Sequence, residues 1–302
     1  MRRPSNRTTW ILIAAVAVGV ALLPFTGMSV YSMSVAFTVM FYAAVAVAWN
    51  ILGIGAYTTA ILLSEFGLSP LLTSFLGATL AALVAFIVGY PCLRLRGPYF
   101  ALVTLVVSLA VSVVVVNLPG LNVASGIFVP SPAGSPVMTR FILYESIAAV
   151  FLICVVVARI IERSQLGIGL AAIREDEEVA ATQGVPTTRL KMAAFVVSAA
   201  LTGLAGGILS WSRGYLDPGD MFSVDTSVLI VLLALFGGRR SWIGPLIGAV
   251  VVTLGREFLF IVIGEDAAQI LYGALLVVVI LFMPHGLIGA RPRLGVEQEV
   301  AA

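Results

Sequence analysis

The chain has 302 residues, 60% of them hydrophobic and 11% charged, with a formal net charge of +2. Soluble domains carry about 25% charged residues, so a soluble core of this size could not hide so much apolar surface, and the composition points to a polytopic α-helical membrane protein. The basic residues are scattered, which argues against nucleic-acid binding. The single histidine, His285, follows Met283-Pro284 at the end of the last apolar run and reads as a helix-end residue at the membrane interface, and one histidine cannot supply a zinc protease built on paired histidines.

Residues 1–9 are basic, with Arg2, Arg3 and Arg7, and Trp10–Phe25 is the first apolar run. A signal peptide has a similar start, but no small-residue cleavage site is clear, so we read a retained first helix. Ser29–Leu63 is apolar throughout, with Trp49, Asn50, Gly53 and Gly55 near its middle. It is too long for one untilted helix and barely long enough for two. Leu71–Leu93 is the next span, followed by Arg94 and Arg96 in RLRGP. Pro98–Asn117 is a valine-rich span, and residues 118–140 form a proline-containing loop. Phe141–Ile161 carries Glu145 near its start, where it can snorkel, and leads into a charged interval over 163–190. Lys191–Trp211 is a span containing GLAGG, whose Gly203, Gly206 and Gly207 suit close helix packing. A polar loop with Asp217 and Asp220 follows, then a short span, Thr226–Gly238, closed by Gly237-Gly238-Arg239-Arg240. Ser241–Gly264, interrupted by Arg256 and Glu257, and Ala267–Met283 complete the spans, and residues 285–302 form a polar tail.

Cytoplasmic loops carry the excess of Lys and Arg. With the charged interval inside, RLRGP, the Gly-Gly-Arg-Arg turn and the tail are inside too, and Glu65, Asp217, Asp220, Glu265 and Asp266 fall outside. Keeping the basic N-terminus inside requires Ser29–Leu63 to cross twice. The expected fold is therefore all-α: one transmembrane helical bundle over residues 1–302, of about ten spans (eight to ten). Both termini are cytoplasmic, residues 118–140 form an extracytoplasmic loop, and the surrounding partner is the lipid bilayer.

Cys92 and Cys154 sit in or beside apolar runs and read as small buried hydrophobes, and no metal-ligand spacing exists. Lys191 is the only lysine and lacks the Gly-Lys-Ser/Thr context of a phosphate-binding loop, so any ATP driving transport is bound by another polypeptide. The interval GIGLAAIREDEEVAATQGVPTTRLK reads as a docking loop with a short helix. Its acidic residues 175–178 lie toward the helix start, where they complement the dipole. Small Ala180 and Ala181 let a partner's groove close tightly. Gly184 suits a left-handed cap, and Pro186 blocks continuation. The alternative is a solvated loop whose charges only aid solubility.

Arg256 and Glu257 are candidates for a polar point on a translocation path, since intramembrane charges face an interior or a wet cavity. The structural alternative is an internal ion pair or a helix break. Neighbours on a helix lie about 100° apart, which disfavours a direct pair. Asn117, Asn122, Ser125 and Gly126 are candidates for the outer mouth by position.

The blocks IREDEEVAATQGVPTTRLKMAAFVVSAALTGLAGGIL and FGGRRSWIGPLIGA, with AWNIL, GIGAYTTAIL and LRLRGPYFALVTL in the first half, resemble the permease subunits of branched-chain amino acid ABC importers, the LivM type. The resemblance covers most of residues 30–290. It implies a bundle of about ten helices that pairs with a second, homologous permease. It further implies two cytoplasmic ATPase subunits that bind ATP and Mg, and an extracytoplasmic substrate-binding protein. The chain itself would be no enzyme and hold no cofactor. By matching positions the resemblance assigns ATPase coupling to Arg174, Glu175, Glu178, Ala180, Ala181 and Gly184. The sequence departs from the family in three places: a direct Leu52-Gly53-Ile54 join where a Gly- and Ser-rich stretch is usual, Val107-Ser108-Leu109 where a glutamate is common, and LPGLNVASG in the external loop. Two other functions compete. A secondary transporter or channel needs midplane titratable groups, for which only Arg256 and Glu257 qualify. The other is a shortened, inactive partner subunit.

Overall fold

The computed structural model describes residues 30–45, 52–95, 98–117, 123–130, 135–223 and 243–264, together with residues 18, 19, 226, 229, 230, 233, 236–238, 267, 271 and 274. The spans expected at Trp10–Phe25 and Ala267–Met283, most of Thr226–Gly238, the tail with His285, and Asn122 lie outside the described residues.

In chain order the helices are α1 (Val30–Val45), α2 (Leu52–Phe66), α3 (Pro70–Cys92), α4 (Pro98–Val116), α5 (Pro136–Arg163), α6 (Gln165–Glu175), α7 (Glu177–Thr182), α8 (Thr187–Arg213), the short α9 (Pro218–Met221) and α10 (Ile243–Ile263). Two short strands, β1 (Ile127–Phe128) and β2 (Tyr215–Leu216), pair antiparallel, Ile127 opposite Leu216. Among the described residues α3, α5 and α8 are long and apolar enough to cross a membrane. The stretch expected to hold two short helices does hold two: α1 has 16 residues and α2 has 15. At 1.5 Å per residue these are about 22–24 Å long, short of a hydrocarbon core of about 30 Å.

Local chemistry sets the helix ends. α3 and α5 begin with Pro70 and Pro136, where the missing N–H removes nothing and the fixed φ suits the first turn. Ser135 caps α5 by accepting a hydrogen bond from the Met138 amide at 3.2 Å. α8 stops at Gly214, which takes a left-handed φ of 69°.

The helices pack as two groups. In the first, α2, α3 and α8 meet through residues with almost no side chain. A Cβ on Gly55 would collide with the backbone of Gly203, and one on Gly206 with the carbonyl of Leu52. Gly203 lies against Ala81, with a Cβ–Cβ separation of 2.6 Å if it carried one, and Gly77 lies against the Gly55 carbonyl at 2.8 Å on the same measure. With no hydrophobic drive between helices in lipid, close backbone approach supplies the association. In the second group, α1, α5 and α10 interlock through large side chains such as Phe41, Tyr144, Ile147 and Val252, all buried. The rings of Phe37 and Phe41 stack at 6.4 Å, and Phe41 meets Tyr42 edge-on at 5.3 Å. α8 touches α1 and α5, and that contact joins the groups.

Candidate functional site

The interval between α5 and α8 is fully helical apart from its caps. Ser164 opens α6 by accepting from the Gly167 amide at 3.3 Å. Asp176 ends α6 and caps α7, its carboxylate accepting from the amides of Glu178 (2.8 Å) and Val179 (3.0 Å). α7 closes in a Schellman motif: the Val185 amide donates to the Ala180 carbonyl (3.1 Å) and the Gly184 amide to the Ala181 carbonyl (3.0 Å), with Gly184 at φ 83°. The left-handed cap expected at Gly184 is present.

Two expectations about this interval are corrected. A single short helix with all its acidic residues at the start becomes two helices, because Asp176 folds onto its own downstream amides and breaks the run. Glu177 and Glu178 occupy the favourable first turn of α7, but Arg174 and Glu175 fall in the last turn of α6, 3.4 Å apart and exposed. Ala180 and Ala181 do not act alike either. Ala180 is 3% exposed, packed beneath the chain's own helices, and only Ala181 faces outward. Ile168 and Val179 are apolar and largely exposed on the same polar interval, at 68% and 51%.

Lys191 fixes this interval to the bundle. Its Nζ donates to the Glu177 carboxylate at 2.6 Å and to the Leu93 carbonyl at 3.2 Å. Leu93 ends α3 just before Arg94, which lies over the Tyr90 ring at 4.3 Å from its centroid. Arg94 and the charged interval thus stand at one end of the bundle. At the other end of α8, the β1–β2 pairing ties the 118–140 loop to the segment carrying Asp217 and Asp220.

That second end holds a cavity of about 340 Å³ where the two helix groups part. Its wall includes Tyr42 of α1, Leu52 of α2, Arg140 of α5, Ser212 and Arg213 of α8, and Asp220 of α9. None of Arg256, Glu257, Asn117 and Gly126 lines it. Arg256 stands one side chain behind the wall, its Nη1 3.4 Å from the Tyr42 hydroxyl. Asn117 turns back on its own helix, donating from Nδ2 to the Val113 carbonyl at 2.8 Å. Gly126 forms the turn before β1 at φ 79°, packed beneath Tyr215, whose hydroxyl donates to the Ser125 carbonyl at 2.8 Å.

Residues 7–280 match the model of the family described as branched-chain amino acid transport system / permease component. The chain belongs to this family. It is 28% identical over 270 residues to the high-affinity branched-chain amino acid transport system permease protein LivM of Salmonella typhimurium, covering 80% of this chain and 63% of that protein. LivM of Escherichia coli K12 is 27% identical over 277 residues, 82% of this chain and 64% of that protein. The permease protein BraD of Pseudomonas aeruginosa is 29% identical over 142 residues, 47% of this chain and 45% of that protein. The chain thus spans a little under two thirds of the length of the LivM relatives. No solved structure matches it.

In this family member, an integral membrane protein, sequence reasoning missed Lys191 as a structural tie and missed the cavity. A signal for the first existed: a lone lysine flanking an apolar span beside an acidic run. The cavity left none, because Arg140 comes from a segment far in sequence from Arg213 and Asp220.

Proposed function

We propose that this chain is a transmembrane permease subunit of an ABC importer for branched-chain or related small amino acids. It forms half of a gated path through a bacterial cytoplasmic membrane, with about ten spans and both termini cytoplasmic. Its partners are a second homologous permease, an extracytoplasmic substrate-binding protein, and two ATPases that hold ATP and Mg. The family supports the permease role. The observation that carries the coupling role is the α6–α7 pair: a capped, charged helical interval with apolar Ile168 and Val179 outward, tied by Lys191 to the end of α3. Force on α7 would pass through Glu177 and Lys191 directly into α3 and α8. Exposed apolar residues on a polar surface suit a protein contact, and Arg174, Glu175, Glu178 and Ala181 are accessible beside them. At the direct Leu52-Gly53-Ile54 join Gly53 packs closely, since a Cβ there would lie 2.5 Å from the Phe222 ring. That packing supports a working subunit over a shortened, inactive one.

The test is co-purification of the chain with the ATPase subunits of its own organism, comparing wild type with Glu178→Arg plus Ala181→Arg. Retention by wild type and release by the double variant is the expected result. Wild type that retains no ATPase would remove the coupling role.

A further inference from the structure

The seam cavity comes within one residue of a second hollow. This is a narrow crevice of about 20 Å³, room for a single water. Its wall includes Ile54 of α2, Val84 and Cys92 of α3, Ser108 of α4, Phe195 of α8, and Phe222. Leu52, Met221 and Ser223 face the seam cavity, whereas Ile54 and Phe222 face the crevice. Two short segments, 52–54 and 221–223, therefore stand between the two hollows, each with residues on both sides.

Phe222 is the large side chain in that partition, and its seat is specific. Asp217 caps α9 by accepting from the Gly219 amide at 2.7 Å, and after this one turn the chain is buried again at Met221 and Phe222. The Phe222 ring stacks on Tyr57 with centroids 5.7 Å apart. It also covers Gly53, where only a residue without a Cβ leaves it room. Tyr57 is held in turn, its hydroxyl donating to the Leu216 carbonyl at 3.3 Å. Gly206, which meets Leu52, lies about 10 Å from Arg213 along α8. The ring thus sits well inside the end of the bundle that bears α9. From it the crevice follows α3 from Val84 to Cys92, about 12 Å, toward the end that holds the charged interval.

We infer that Phe222 is a gate: the solute path runs from the seam cavity past this ring into the crevice beside α4, and the ring on Gly53 and Tyr57 is its closed state. The inference rests on the importer reading and adds the course of the path and the residue that shuts it. Met221 and Ser223 belong to the seam wall, so parting the two helix groups carries segment 221–223 with that wall and draws Phe222 off Gly53. The two hollows then become one. A ring stacked on a ring over a glycine has two discrete arrangements, seated and withdrawn, which is what a gate requires.

The chain carries its own reporter and control. Cys92 lines the crevice beyond the ring, Cys154 lies in α5 outside it, and both are 2% exposed. The experiment adds silver ion, in chloride-free buffer, to the outside of right-side-out vesicles holding the full chain with its ATPases. Silver binds thiols, is too polar to cross lipid unaided and is small enough to follow a path one water wide. Thiols left free are alkylated with N-ethylmaleimide in denaturant and counted by peptide mass spectrometry. In the resting wild type both cysteines are expected to be blocked slowly. Phe222→Ala, which removes the ring, and Gly53→Ala, which displaces it, are each expected to block Cys92 about tenfold faster, the shift that follows when a closed state loses a ring stack. Cys154 should keep its wild-type rate in both, and Phe222→Tyr should leave Cys92 slow. Gly53→Ala empties nothing, so it carries the test if Phe222→Ala does not fold. Cys92 blocked as slowly in both variants as in wild type would overturn the gate. So would Cys92 and Cys154 rising together in both, which would make the ring a packing residue only. ATPase co-purification from the same preparations separates the two readings. Retained ATPases with an unresponsive Cys92 discard the gate alone, and wild type without ATPases discards the importer.

Discussion

In the α2–α3–α8 group the contacts are made by Gly55, Gly77, Gly203 and Gly206, with backbone against backbone. In the α1–α5–α10 group they are made by rings and long aliphatic chains. Backbone contacts offer few alternative arrangements, because no rotamer can take up a displacement, so the first group behaves as one body. Side-chain contacts can repack. The cavity lies where the rigid group meets the adaptable one, and Lys191 grips only the rigid one, through α3 and α8. A pull on α7 would therefore move the rigid body against its neighbour and change the seam. Motion is expected between the groups rather than within either.

The contrast predicts opposite sensitivities. Adding volume should damage the first group most. Gly206→Val drives a side chain into the Leu52 carbonyl and should cost about 4 kcal/mol, seen as loss of monodisperse protein and a fall in thermal midpoint in detergent. Gly255→Leu in α10, where a Cβ meets nothing within 4 Å, should change the midpoint little. Equal damage at both positions would mean that the close glycine contacts are no tighter a constraint than the open face of α10. Removing volume should damage the second group. Phe41→Ala empties a site that is 3% exposed and ringed by Phe37 and Tyr42, and should cost about 3 kcal/mol by the same midpoint measurement.

Much of the first group was legible in the sequence. GLAGG already carried small-residue spacing, and the span expected at Leu71–Leu93 is met by α3 at Pro70–Cys92, whereas α5 starts at Pro136, inside the stretch expected to be loop. The left-handed cap at Gly184 followed from glycine's freedom and the proline two residues on. What failed to show was anything decided by facing. Ala180 and Ala181 are identical in sequence, and only the rotation of α7 buries one and exposes the other. Asp176 was read as one acidic residue among four, though its short side chain reaches its own downstream amides and divides one helix into two. Arg140 joins Arg213 and Asp220 on one cavity wall only through tertiary packing. Asn117 and Gly126, chosen by position, instead do local work, closing a helix end and shaping a turn.

Lys191→Met tests the tie at the coupling end. It keeps the aliphatic stem and removes the charge that holds Glu177 and the Leu93 carbonyl together. The pair is half-buried, so the loss should be about 1.5 kcal/mol rather than the smaller value of an exposed pair. The more telling readout is regional. Amide exchange should rise over residues 165–186 and stay unchanged across the α2–α3–α8 contact. Faster exchange throughout α8 would mean that the lysine stabilises the rigid group itself and does not merely fasten the interval to it.

The smallest expected effect is at Gly184. Its φ of 83° is a left-handed conformation that costs an L-residue about 1 kcal/mol, yet a Cβ there would meet nothing within 4 Å. Gly184→Ala therefore acts on conformation alone. Global stability should fall by no more than about 1 kcal/mol, with amide exchange at Gly184 and Val185 rising first as the Schellman bonds fray. If α7 transmits force as a stiff lever, this variant should retain ATPase subunits while coupling hydrolysis to uptake less tightly. That result would separate docking, which needs the exposed face of α7, from transmission, which needs its fixed end.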